Sequence, residues 1–247
     1  MIFNPNEWTK KIGDPLWYKD IPPLIDEYRK LKKTDPEAYE HEKELIYSFF
    51  EKQLASDNIA LGEKGPDWDK ERRGIDTIVI HHTSSNPGLS PDRLSAMTLL
   101  RLYANFYAKP YDNDREKVVG QAIWSGHIRG GKQVFWPYHW IVRTNGDSER
   151  LLRDDEIGWH AGNWDINRRS VAIVLDNDYE NRNPSNKELE RIATIIQQNY
   201  RDLKPTSITG HCEVERKIPG PHATCPSKLF LTKNGARGWK EDLIALI

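Results

Sequence analysis

The run Thr77-Ile78-Val79-Ile80 leads directly into His81-His82. An unbroken β-branched run of this length, with no polar alternation, suits a strand covered on both faces. The chain must therefore build layers on both sides of a sheet, and two imidazoles arrive at the end of one of its inner strands. A second run of the same kind is Val171-Ala172-Ile173-Val174-Leu175. Tyr138 to Arg143, followed by Asn145-Gly146, reads as a strand and turn, with Arg150 to Leu152 as the return. Ser207-Ile208-Thr209-Gly210 is a short strand that delivers His211 at its end.

Helical patterns lie between these strands. Ser90-Pro91 supplies an N-cap and first-turn proline ahead of Leu94, Met97, Leu100, Tyr103 and Phe106, an amphipathic spacing that runs to about Ala108. Ser185 and Glu188 form a capping box before Leu189, Ile192, Ile195, Ile196 and Tyr200. Trp239 to Ile247 reads as a closing helix, and Lys109 to Gly131 as loop. Strand, helix, strands, helix, strand is the order of an α/β protein with a central mixed β-sheet flanked by helices. Ahead of this, residues 1–73 are charge-rich and carry two helical stretches, Ile21 to Lys33 and Pro36 to Leu54. The apolar stripe Ile46, Phe49, Phe50, Leu54 suits packing against a neighbouring body. The expected organisation is a helical N-terminal extension, 1–73, and a mixed α/β domain, 74–247, with Leu61 to Gly74 as linker.

Composition removes several function classes. A formal net charge of −1 over 247 residues gives no overall pull toward nucleic acid or an acidic membrane surface. No apolar run approaches the ~20 residues of a membrane span. Met1 to Trp8 lacks the basic start and apolar stretch of a secretory signal, so the expectation is a cytoplasmic protein or one released by a non-standard route. There is no dinucleotide loop, no Walker loop and no repeat. Only two cysteines occur, Cys212 and Cys225, which suits buried thiols, a metal ligand or a nucleophile better than a disulfide framework.

Five of the eight histidines, His81, His82, His139, His160 and His211, fall at strand ends or in the Trp-rich loop beside a strand. One such histidine carries no message, because an imidazole satisfies itself with a backbone bond. The combination of His81 or His82 with a late His211 and Cys225 is different. It offers nitrogen, nitrogen and thiolate to a tetrahedral zinc and leaves a fourth position for water, the pattern of catalytic zinc. The bland reading of Cys225 is a buried inert thiol. A cysteine hydrolase using Cys212 or Cys225 with a histidine base is another alternative, but it does not explain the paired histidines.

Four segments in order carry a resemblance. Val79-Ile80-His81-His82-Thr83, Tyr138-His139-Trp140-Ile141-Val142, His160-Ala161-Gly162-Asn163-Trp164 with Ser170-Val171-Ala172-Ile173, and Gly210-His211 with Thr224-Cys225-Pro226-Ser227 together resemble the type 2 N-acetylmuramoyl-L-alanine amidase and peptidoglycan-recognition protein family. The similarity covers about Ile75 to Phe230. It implies one Zn2+ per chain held by His81, His211 and Cys225, with His82 as the non-ligand neighbour. It further implies Tyr138 beside the reacting water and a substrate-side loop of His160, Trp164 and Asn167. The implied activity is hydrolysis of the amide between N-acetylmuramic acid and L-alanine, with peptidoglycan or muropeptide fragments as partners. The implied setting is endolysin-like wall lysis or wall-fragment recycling. The alternative is a non-catalytic peptidoglycan-binding module of the same fold.

The chain departs from the pattern in places. A glutamate used by one branch of the family would fall at Val174; Asp176, two residues on, is the reserve general base. A Lys or Thr common two residues before the third ligand is replaced by Ala223, with His222 as its possible substitute. His211 and Cys225 are 14 positions apart, longer than the family's usual interval, which makes His222 the alternative third ligand.

Overall fold

The computed structural model describes residues 2–108, 118–215 and 224–247. In chain order these form α1 (Pro5–Lys11), α2 (Ile21–Thr34), α3 (Pro36–Ala55), β1 (Thr77–His82), α4 (Pro91–Thr98) and α5 (Ala104–Ala108). There follow β2 (His127–Arg129), β3 (Lys132–Val134), β4 (Trp140–Val142), β5 (Ser148–Arg150), α6 (Trp164–Arg169) and β6 (Ser170–Leu175). α7 (Asn186–Asn199), β7 (Ile208–Gly210) and α8 (Trp239–Ala245) complete the chain. This is the expected mixed α/β architecture. Among the described residues no helix is long and apolar enough to cross a membrane.

The chain falls into two compact units that interleave in sequence: Met1–Asp67 with Ser90–Phe135, and Trp68–Leu89 with Trp136–Ile247. The division expected near residue 73 left Ser90–Phe135 with the later part of the chain. In the structure this stretch joins the N-terminal helices, through bonds such as Ser90 Oγ to Glu51 Oε1 (2.6 Å) and Arg93 Nη1 to Glu44 Oε1 (3.0 Å).

The first unit is built on interlocked aromatics. Phe3 stacks on Trp8 at 5.8 Å between ring centroids, and Trp17 on Phe50 at 5.4 Å. The Glu42 carboxylate accepts the backbone N–H groups of Ile2 and Phe3, both at 3.0 Å, which ties the start of the chain to α3. The helix opened by Ser90-Pro91 contains a π-helical turn, Leu99–Tyr103, between α4 and α5. Part of the stretch read as loop is a hairpin: β2 and β3 pair across Gly130-Gly131, both at positive φ (57° and 79°), a conformation that glycine adopts without strain.

The second unit holds a five-stranded sheet in the order β5-β4-β6-β1-β7. β1 is parallel to both neighbours, with Thr77 opposite Ser170 and Ile80 opposite Gly210. β4 runs parallel to β6 and antiparallel to β5. The return strand starts two residues earlier than expected, at Ser148, because Asn145 accepts the Asp147 N–H (3.0 Å) and closes a tight turn. One face of the sheet, with Ile78, Ile80, Ile173, Leu175 and Ile208, is covered by Ile192 and Ile196 of α7 and by Trp239 and Leu243 of α8. α7 starts where its capping box sets it, with Glu188 Oε2 accepting the Ser185 N–H at 2.8 Å.

Candidate metal centre

Strand alternation sends His81 to the face carrying Val79 and His82 to the face carrying Ile78 and Ile80. The parallel pairing of Ile80 with Gly210 then sets His211, the next residue after β7, beside His81, with ring centroids 4.6 Å apart. Gly210 has to be glycine: a Cβ there would lie 2.5 Å from the Phe230 ring and 2.9 Å from Pro226 Cδ. Cys225 is carried in by a returning segment whose carbonyl accepts the Cys212 N–H at 2.6 Å. Its Sγ lies 3.9 Å from His81 Nδ1.

His81, His211 and Cys225 each offer one ligand atom, and these atoms lie within 4.8 Å of one another. All three side chains are buried. A tetrahedral zinc with bonds of about 2.0–2.1 Å to nitrogen and 2.3 Å to sulfur separates its ligand atoms by roughly 3.3–3.6 Å. Small side-chain movements bring the three atoms to that spacing. Two imidazoles and a thiol, without a carboxylate, are also the donor chemistry that suits zinc better than calcium or magnesium. The residues fit the metal.

Around this group the remaining expected residues separate. Tyr138 is half-buried, its ring centroid 5.0 Å from that of His81. His160 is buried, and both of its ring nitrogens are engaged, Nδ1 with His81 Nε2 at 2.9 Å and Nε2 with Ser170 Oγ at 3.1 Å. Burial, reinforced by His139, His211 and Arg72, pushes the His160 pKa well below the ordinary histidine range and keeps the ring neutral. Asn167 is buried as well, its Oδ1 accepting the backbone N–H groups of His160 (3.3 Å) and Ala161 (2.9 Å). Trp164 is part-exposed. It packs edge-on against Trp68 and Trp159, with centroids 5.7 and 5.1 Å away, and its Nε1 donates to Glu71 at 2.7 Å.

Asp176 is almost fully buried in a staple: Oδ2 accepts from Arg143 Nη1 at 2.8 Å and from the Gly88 N–H at 2.9 Å. His82 turns away from the cluster, its Nδ1 accepting the Tyr179 N–H at 3.0 Å and its Nε2 lying 3.0 Å from Ser84 Oγ. Burial lowers its pKa against the pull of Asp178 and Glu180. His139 fixes the sheet, with Nδ1 accepting the Ala172 N–H at 3.1 Å and Nε2 bonded to the Glu156 carbonyl at 3.0 Å. Cys212 packs under the apolar face, and burial raises its thiol pKa. His222 and Ala223 lie outside the described residues. Ser170 is the site neighbour that sequence reasoning passed over. Its one signal was a lone hydroxyl in the otherwise apolar strand Ser170–Leu175.

A sequence profile of N-acetylmuramoyl-L-alanine amidase matches residues 71–228, more than half of the chain. The chain belongs to the N-acetylmuramoyl-L-alanine amidase family. Among solved structures it is similar to the endolysin N-acetylmuramoyl-L-alanine amidase LysCS from Clostridium intestinale URNW, at 17% identity and a TM-score of 0.42, covering 66% of this chain and 80% of that one. It is also similar to Drosophila peptidoglycan recognition protein SD, at 19% identity and a TM-score of 0.38, covering 66% and 77%. No curated protein matches it.

Proposed function

We propose that this chain is a zinc amidase that hydrolyses the bond between N-acetylmuramic acid and the L-alanine of the peptidoglycan stem peptide. The observation that carries the reading is the buried triad His81, His211 and Cys225, in a chain of the amidase family. In this reading the two imidazoles bind through neutral nitrogens and Cys225 through its thiolate, so the three together offset one of the metal's two positive charges. When bound, zinc supplies an acidified water and a polarised substrate carbonyl. Tyr138, whose ring centroid lies 5.0 Å from that of His81, would donate its phenolic proton to the carbonyl oxygen and steady the negative charge that develops there. No side-chain nucleophile is needed.

Of the three residues expected along the substrate loop, Trp164 keeps a part-exposed ring and is the candidate to border a muropeptide. His160 spends both ring nitrogens and Asn167 its amide oxygen inside the protein, and both serve the site by position. Asp176 stays the reserve general base beside the strand ends: its Oδ2 accepts two bonds, and its Oδ1 is buried with no hydrogen-bond partner among the described residues. The substrate is cell-wall material, whether intact wall or released fragments.

The test is metal content of the purified chain, with stem-peptide release from peptidoglycan measured before chelation, after it, and after zinc return. One zinc per chain and release that chelation abolishes and zinc restores are expected. Zinc without release would move the assignment to a peptidoglycan-binding module. A chain that takes up no zinc would sink the ligand set.

A further inference from the structure

We propose that His160 is a positioning residue that accepts the Nε2 proton of His81 and so leaves His81 Nδ1 free for the metal, acting through the hydrogen-bonded line His81–His160–Ser170. The inference rests on the zinc reading above and goes beyond it, because it concerns a residue outside the ligand set. His81 presents Nδ1 to Cys225, 3.9 Å from Sγ, and Nε2 to His160, 2.9 Å from its Nδ1. A neutral imidazole has one donor and one acceptor nitrogen, and a metal takes the acceptor. Metal on Nδ1 therefore requires the His81 proton on Nε2, donated to His160 Nδ1. His160 then carries its own proton on Nε2, which is donated to Ser170 Oγ at 3.1 Å. The direction of the whole line follows from the first step.

The reverse direction is also possible chemically, with Ser170 donating to His160 and His160 to His81. It puts the His81 proton on Nδ1, where it occupies the lone pair the metal needs. His160 thus couples metal binding to the orientation of a buried chain of bonds, in the way that outer partners of metal-bound histidines fix tautomer and ring angle. The line is well braced. Thr77 on β1 is in register with Ser170 on β6, so both ends of the line belong to paired strands. The middle is held by Asn167, whose amide oxygen accepts the backbone N–H groups of His160 and Ala161. The His160 ring stands at 87° to that of His81, edge to face, with the two ring nitrogens 2.9 Å apart.

The experiment uses the full chain and three variants: His160→Phe, which keeps a flat ring without an acceptor, His160→Asn, which returns an acceptor near the Nδ1 position, and His81→Ala. Zinc affinity is read by competition with a chromophoric chelator. The His81 tautomer is read from long-range 1H–15N correlations on the zinc-loaded wild type. Expected are a loss of about 10–100-fold in zinc affinity for His160→Phe with unchanged far-ultraviolet circular dichroism, and recovery of most of it in His160→Asn. The zinc-loaded wild type should show His81 protonated on Nε2. Wild-type affinity in His160→Phe, or a His81 proton on Nδ1 in the loaded protein, overturns the inference while leaving the ligand set intact. Should His160→Phe fold poorly, the wild-type tautomer decides. If the wild type takes up no zinc, or His81→Ala keeps it, the zinc reading fails and takes this inference with it.

Discussion

On one face of the five-stranded sheet, Ile78, Ile80, Ile173, Leu175 and Ile208 are fully buried under α7 and α8. On the other, the alternating positions of β1 and β6 carry His81 and Ser170, with His139 just ahead of β4, beside a small apolar group of Val79, Ala161 and Val214. The first face is sealed by hydrocarbon. The second is buried almost as deeply, yet it carries imidazoles and a hydroxyl among its apolar side chains: His81 and Ser170 both bond to His160, and His139 bonds to the backbone. A two-residue period thus separates stability from chemistry within single strands. His81 and His82 show it most sharply, since neighbours in sequence end in the candidate metal site and against the loop after β6, respectively.

The hardest test of this separation is His81→Ala. Zinc content should fall from one per chain to none, and amide release should drop by several orders of magnitude, because the acidified water and the polarised carbonyl are lost together. The chelator-treated protein should be less stable than chelator-treated wild type by about 1–3 kcal/mol, because the buried His160 loses the partner of its Nδ1. Ile173→Ala inverts the pattern. It opens a cavity under α7 and should cost about 2–5 kcal/mol of stability in denaturant titration, with the zinc affinity of the folded fraction unchanged. A large loss of zinc affinity in Ile173→Ala would show that the two faces are not independent.

The apolar face was the more legible of the two. Long β-branched runs at Thr77–Ile80 and Val171–Leu175, and the capping box of Ser185 and Glu188, are local signals, and each element lies where its pattern put it. The β2–β3 hairpin was missed because strands of three residues show too little alternation; Gly130-Gly131 was its one clear mark. The π-helical turn at Leu99–Tyr103 was hidden because an extra residue in one turn barely disturbs an amphipathic spacing. For the candidate metal cluster, the strand ends and the late cysteine named His81 or His82, His211 and Cys225 together, 144 positions apart at their extremes, but choosing His81 over His82 took a family resemblance. The line through His160 to Ser170 was not legible at all. It depends on a loop folding back over β6, and no spacing in the chain encodes that.

His82→Ala should behave as a change on the apolar face despite removing a histidine next to a ligand. It strands the buried Tyr179 N–H that Nδ1 now accepts, and a stranded donor of this kind costs about 1–3 kcal/mol. Zinc should remain at one per chain. Zinc loss as complete as in His81→Ala would mean that the alternation of β1 does not decide which imidazole binds.

The smallest expected effect lies at the rim of the apolar face, where Tyr200 packs with its hydroxyl in a polar knot. The hydroxyl accepts from Trp140 Nε1 and Arg150 Nη1, both at 3.0 Å, and donates to Asp154 Oδ1 at 2.8 Å. Burial is the main cause that pushes its pKa up to about 12, above the ordinary value of 10.0. A group whose pKa is raised on folding stabilises the fold fully below its unfolded pKa and loses that contribution as pH climbs through the folded value. Tyr200→Phe should therefore be less stable than wild type by about 1 kcal/mol at neutral pH, the worth of a lost hydrogen bond. From pH 10 toward pH 12 the difference should shrink, because only the wild type must hold a neutral phenol against an unfolded state that ionises. Denaturant midpoints of the two proteins across that range measure the effect. A gap that stays constant with pH would mean that the hydroxyl already ionises as easily as in the unfolded chain, and that the rim is wetter than its burial implies.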